Sequence, residues 1–175
     1  MKLLYLVRHA KSSWDDPSLS DIDRPLNKRG QKNAPMMGKR MKRYENLPEF
    51  IVSSPANRAL ATAQIIAGEI GFNKAEIKIE NSIYGGGVSG LIGLINVFPA
   101  EVKCAMLTGH NPTMTYLANE LSGSDIYNMP TCGIALIEFA TATWKDVAAG
   151  AGRLVDFDYP KRQDAEDMFG SKLNC

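Results

Sequence analysis

Leu3-Leu4-Tyr5-Leu6-Val7-Arg8-His9-Ala10 sets five apolar residues in a row directly before an arginine and a histidine. A short, unbroken apolar run reads as a strand buried on both faces, the kind from which parallel sheets are built. The pattern recurs. Phe50-Ile51-Val52-Ser53 leads into Ser54-Pro55, and the run from Lys103 to Thr108 leads into Gly109-His110-Asn111-Pro112. Helical patterns fill the intervals. Ala34, Met37, Met41 and Tyr44 fall at helical spacing within 28–46, where Pro35 is expected to kink the helix. Ser54-Pro55 is expected to cap a helix running to about Ile70 and stopping at Gly71, and Asn111-Pro112 to open another reaching about Leu121. Weaker signals predict a strand over Glu76 to Ile79, a short helix over Leu91 to Phe98 and a strand over Gly133 to Phe139. Arg153 to Phe157 is expected to pair with Trp144 to Val147 across the Gly150–Gly152 turn. Strands alternating with helices predict an α/β three-layer sandwich, a mostly parallel central sheet with helices on both faces.

With 175 residues, no linker and no internal repeat, the chain is expected to be one domain over 1–175. A net charge of +1 gives no global attraction for nucleic acid, so any anion preference must be local. The apolar N-terminal run is too short for a signal peptide, and no stretch approaches the roughly 20 apolar residues of a membrane helix. Cys104, Cys132 and Cys175 are odd in number and far apart, which disfavours both a disulfide framework and a metal site. Ser171-Lys172-Leu173 is followed by Asn174-Cys175 and so is not read as a peroxisomal address. A reduced, cytoplasmic protein without metal or cofactor is the expectation.

Arg8-His9 and Gly109-His110 each end a predicted strand, and these are the only histidines in the chain. Ligands of open α/β sheets bind outside the carboxyl ends of the strands. Both histidines are therefore expected at one sheet edge, joined by Arg58 from the first turn of the helix after Ser53. Guanidinium forks match phosphate oxygens, and helix N-termini offer free N–H groups to anions. Two arginines beside an imidazole also disfavour its charged form, which suits a histidine acting as nucleophile.

Leu6-Val7-Arg8-His9-Ala10 resembles the strand-ending R-H-G motif of the histidine phosphatases, with alanine in the usual glycine place. Ser53-Ser54-Pro55-Ala56-Asn57-Arg58-Ala59-Leu60-Ala61-Thr62-Ala63 is similar to their S-S-P-x-x-R-A-x-x-T-A helix start, and Gly109-His110-Asn111-Pro112 to their second-histidine motif. The run Asp21-Ile22-Asp23-Arg24-Pro25-Leu26-Asn27-Lys28-Arg29-Gly30 and the short length resemble the SixA-like branch, associated with phosphohistidine. The resemblance implies a phosphoglycerate mutase-like fold and a metal-independent phosphatase. His9 would be the phosphorylated nucleophile, with Arg8, Arg58 and His110 forming the phosphate pocket and Ser12 joining the substrate-binding set. The implied partner is a phosphorylated protein or a small phosphorylated substrate.

Family members acting on phosphomonoesters carry a glutamate acid after the third strand, yet Ser82 to Leu94 contains no acidic residue. An alkoxide leaving group needs a donated proton far more than an imidazole does. That favours phosphohistidine on a protein. A small-molecule phosphomonoesterase and a non-catalytic module binding phosphoproteins are the alternatives. If a proton donor exists, Asp15, Asp21 and Asp23 lie in the loop after His9, with Asp21 the first choice; Asp15, ionised, would repel the phosphate. Gly85 to Gly90 matches G-x-G-x-x-G literally, but a flexible loop at the site rim is expected rather than a dinucleotide site. Lys28, Arg29, Lys32, Lys39, Arg40, Lys42 and Arg43 are read first as a solvated helix face, and Met36, Met37 and Met41 as core packing.

Overall fold

The computed structural model describes residues 1–162; Cys175 and the Ser171–Leu173 run lie outside the described residues. The first apolar run is strand β1, Lys2–Arg8. Beside it lie β4, Cys104–Gly109, in parallel, and β5, Ile134–Phe139, antiparallel. Strands β2, Phe50–Ser53, and β3, Lys78–Ile79, continue the parallel side, and β6, Gly152–Asp158, closes the antiparallel side. The order is β3-β2-β4-β1-β5-β6, so the two central strands are β4 and β1, the ones carrying the histidine motifs. Their register pairs Arg8 with Gly109, which sets His9 and His110 side by side one residue beyond.

Period-two alternation divides the core. Leu4 and Leu6 of β1 pack with α4, Val88–Asn96, and α5, Thr113–Ser122, on one face. Tyr5 and Val7 pack with α1, Lys28–Met41, and α2, Asn57–Ile70, on the other. This is the expected three-layer arrangement. Met37 and Met41 are fully buried in the second core, as the helical spacing predicts. Asn27 caps α1 by accepting from the Gly30 N–H at 2.9 Å, and the helix continues six residues past Pro35. Gly71 adopts φ 82°, in the left-handed region that glycine enters without a Cβ penalty, and stops α2 where expected.

Four local expectations are corrected. Trp144–Asp146 is a 3-10 turn, its indole buried and donating to the Val102 carbonyl at 2.9 Å, so β6 pairs with β5 instead. The helix near Leu91 starts at Val88 and is preceded by a short helix, α3, Ser82–Gly85. The glycine run is thus the joint between α3 and α4 rather than a loose loop, and it follows a helix rather than the strand a dinucleotide fingerprint requires. Neither proline motif opens its helix directly: α2 begins at Asn57 and α5 at Thr113. The basic face of α1 is solvated except at Arg40, which is half-buried and pairs with Asp158 at 3.0 Å, fastening α1 to β6.

Candidate active site

His9 follows β1 directly, and its backbone N–H donates to the Gly109 carbonyl, extending the β1–β4 ladder by one bond. On the other side, the Cys132 N–H reaches the carbonyls of Arg8 and His9. Ala10 is fully buried, and its N–H donates to Thr62 Oγ1 at 2.9 Å; the same hydroxyl bonds the Arg58 carbonyl one helical turn back. The histidine therefore sits on a backbone held from three elements.

Nδ1 of His9 lies 2.7 Å from the Ala10 carbonyl, an acceptor only, so the proton resides on Nδ1 and Nε2 carries the lone pair. The His110 ring stands 5.1 Å away, centroid to centroid. Its Nε2 is 2.7 Å from Ser54 Oγ, while its Nδ1 is buried without a partner among the described residues. Ser54, expected as a helix cap, accepts from the Ala56 N–H at 3.3 Å just ahead of α2 and also orients this second histidine.

Burial pushes His9 down to about 3, with His110, Arg58 and Arg8 adding to the effect. His110 falls to about 4, again chiefly by burial, then by Arg58. Both rings are neutral near pH 7. The sequence assigned this role to the arginines; desolvation is the larger cause.

Arg8 and Arg58 share one arrangement. Arg8 Nη1 donates to the Met129 carbonyl at 2.7 Å, Arg58 Nη1 to the Asp21 carbonyl at 2.6 Å, and Arg58 Nη2 to Asp21 Oδ2 at 2.9 Å. In each, Nε is buried with no partner among the described residues. Buried polar atoms are nearly always satisfied, so each orphaned donor here is open to an acceptor, whether water or an anion. Among the described residues five buried side-chain atoms are unpaired in this way, Arg8 Nε, Arg24 Nε, Arg58 Nε, Thr108 Oγ1 and His110 Nδ1, and three of the five belong to the residues that the sequence motifs single out.

The two remaining predicted residues behave differently. Ser12 is buried, and its hydroxyl accepts from Arg24 Nη2, which leaves its O–H able to donate. Asp21 faces the outer side of Arg58. Its carboxylate accepts from the Tyr84 hydroxyl at 2.7 Å and from Arg58, with Arg24 Nη1 3.5 Å away. Tyr84, then Arg58 and Arg24, hold this carboxyl below the usual carboxylate range, the reverse of what a proton donor needs. Asp15 is exposed.

Sequence reasoning missed Tyr84, whose ring meets His110 edge-on at 5.5 Å from the place where an acidic residue was sought. It also missed Trp14, exposed and stacked on the Arg24 guanidinium at 3.4 Å. Among the described residues no group of three or more His, Cys, Asp or Glu could hold a metal ion, and no helix is long and apolar enough to cross a membrane.

Residues 4–83 match the model of the histidine phosphatase superfamily, branch 1. The chain is 33% identical to an uncharacterized chloroplastic protein of Arabidopsis thaliana, over 85% of this chain and 72% of that one. The SixA crystal structure from Agrobacterium tumefaciens superposes with a TM-score of 0.76 at 30% identity, covering 91% of this chain and 98% of the other. A protein histidine phosphatase SixA solved with tungstate has the same fold, with a TM-score of 0.77 at 21% identity over 90% and 97% of the two chains. Motif order, sheet topology and these similarities agree: the chain belongs to the histidine phosphatase superfamily, in its SixA-like branch.

Proposed function

We propose that this phosphatase works through a phosphorylated His9 and that its substrate is phosphohistidine on a protein. The observation that carries the reading is the set of orphaned donors, Arg8 Nε, Arg58 Nε and His110 Nδ1, beside a neutral imidazole whose Nε2 lone pair is free. The tungstate complex of a protein histidine phosphatase with this fold supports an oxyanion as the ligand, since tungstate shares the tetrahedral shape of phosphate.

In the first step His9 Nε2 forms a bond to phosphorus as the substrate's N–P bond breaks. The departing imidazole keeps the proton on its other nitrogen and leaves neutral, so no acid is required. His9, holding its own proton on Nδ1, becomes the mirror image of the substrate it has replaced. Water then attacks phosphorus, the His9 Nε2–P bond breaks, and orthophosphate leaves with both protons of the water. Nucleophilic catalysis of this kind splits one difficult displacement into two easier ones. Arg8, Arg58 and His110 would hold the equatorial oxygens, where charge stabilisation does most of the work in phosphoryl transfer. Ser54, donating to His110 Nε2, would keep the proton on Nδ1 for that purpose.

The leaving side supports the specificity. No carboxylic acid lies between Ser82 and Leu94; Tyr84 stands beside His110 instead. Alkyl phosphates would therefore lack the proton they need. Buried free thiols at Cys104 and Cys132 support a reducing compartment such as the cytoplasm.

The test is a panel of phosphohistidine peptide, phosphoimidazole, sugar phosphates and nucleotides, with wild type and His9→Ala, and acid quenching after mixing to trap the adduct. Turnover of the N–P substrates, a phosphoenzyme in wild type and neither in His9→Ala is the expected result. A preference for alkyl esters would overturn the substrate assignment. Undiminished turnover in His9→Ala would overturn the mechanism.

A further inference from the structure

We propose that Asp21 is a positioning residue for Arg58 and that Tyr84 holds it there, forming a chain from the rim of the pocket to the phosphate-binding guanidinium. The inference rests on the phosphate-pocket reading above and assigns a role to a carboxylate that sequence suggested as an acid.

The geometry is one-sided. Asp21 engages Arg58 twice, through its main-chain carbonyl at 2.6 Å and its Oδ2 at 2.9 Å, and both bonds fall on the terminal nitrogens. The Nε–H is left buried and unpaired. A guanidinium gripped along its outer edge can rotate neither away from the pocket nor out to solvent, so its inner edge is fixed before phosphate arrives. Donors fixed beforehand cost no reorganisation during reaction.

Asp21 is itself held. The Tyr84 hydroxyl donates to the same Oδ2 at 2.7 Å, and Arg24 Nη1 stands 3.5 Å from Oδ1. Its 3-10 turn, Asp21–Asp23, is tied to the start of α2 by Asn57 Nδ2, which donates to the Asp23 carbonyl at 3.2 Å. Arg58 lies on that same helix start, so turn and arginine move as one unit. Two donors and a nearby second guanidinium hold this carboxylate ionised, with no proton to give to a leaving group.

Binding of orthophosphate, measured by calorimetry on the full chain, tests this whether or not a substrate is turned over. Asp21→Ala should weaken binding roughly tenfold, the size of one charged hydrogen bond. Asp21→Asn keeps an oxygen for Arg58 and should recover most of that loss, while Tyr84→Phe should weaken binding by about threefold. In an Arg58→Ala background the Asp21→Ala change should add nothing, because coupled residues are not additive. With phosphoimidazole and an alkyl phosphate as substrates, Asp21→Asn should lower kcat/KM on both by the same factor and leave the alkaline limb of the pH profile in place. A loss confined to the alkyl ester, or an undiminished Asp21→Ala effect in the Arg58→Ala background, overturns the proposal. So does a wild type that binds no orthophosphate, whereas binding without turnover counts only against the proposed function.

Discussion

Acidification should destabilise this fold well before its carboxylates titrate, and the two neighbouring buried histidines, His9 and His110, should be the reason. Folded, His9 stays neutral to about 3 and His110 to about 4, both against an ordinary value of 6.5. Unfolded, each ring takes up a proton as the pH falls through 6.5. The unfolded state then binds more protons than the folded one, so stability declines as the pH falls. At about pH 5 each histidine accounts for a loss of about 2 kcal/mol relative to neutral pH, and the pair for about 4 kcal/mol. That is a large part of the 5–15 kcal/mol that typically separates folded from unfolded domains. Asp16, Asp21 and Asp156 are shifted below the usual carboxylate range and act in the same direction, but only where their unfolded forms protonate, near pH 4. The window from about 6.5 to 5 therefore isolates the histidines.

The measurement is urea unfolding at several pH values across that window, in phosphate-free buffer, since a bound anion would add stability of its own. His9→Asn preserves a donor to the Ala10 carbonyl and His110→Gln preserves a partner for Ser54, so the double variant removes the titration with least loss of contact. Its stability should be nearly flat with pH. Equal stability of wild type at pH 7 and 5, or a double variant as steep as wild type, would refute the reasoning.

Three further outcomes are expected. Arg8→Ala removes one of the preorganised donors and should lower kcat on phosphoimidazole by about 10²–10³-fold, read from initial rates with His9 intact. Gly30→Ala would set a Cβ 2.2 Å from the Lys11 carbonyl oxygen, a backbone atom that cannot swing aside, and should cost about 1–3 kcal/mol, seen as a lower urea midpoint at unchanged slope. Turnover should survive exhaustive chelation, because arginines supply the positive charge at this site; loss with a chelator and recovery with a divalent ion would contradict it.

Sequence made the central strands legible because their apolar runs are continuous and each ends on a histidine; register then follows from the Arg8–Gly109 pairing. The edges were less legible. Trp144 to Val147 has the apolar content of a strand but turns inward to bury its indole, and only the third dimension shows that β6 has a better partner in β5. Ser54 and Asn111 look like helix caps because Ser-Pro and Asn-Pro are local signals, yet Ser54, besides accepting from the Ala56 N–H, pairs its hydroxyl with His110, 56 residues away. Asp21 was visible as a carboxylate near the motif, but whether it donates a proton or grips an arginine is decided by Arg58 and Tyr84, 37 and 63 residues on. Local patterns place side chains on elements; long-range contacts assign their work.

The cause of the low histidine values also decides how arginine variants should be read. If the guanidinium charges kept His9 neutral, removing Arg8 or Arg58 would raise its pKa toward neutrality, and lost activity would mix lost phosphate binding with a protonated nucleophile. Burial is the largest cause instead, with His110, Arg58 and Arg8 behind it. The backbone that carries the ring is held by the Gly109 carbonyl, the Cys132 N–H and Thr62 Oγ1, and none of these three bonds is made by a guanidinium. His9 should thus remain neutral near pH 7 in Arg8→Ala and Arg58→Ala, and their pH profiles should keep an acid limb well below 6.5. Their losses in kcat/KM can then be taken as lost stabilisation of the transferring phosphoryl group, the quantity that orphaned donors at this site are arranged to supply.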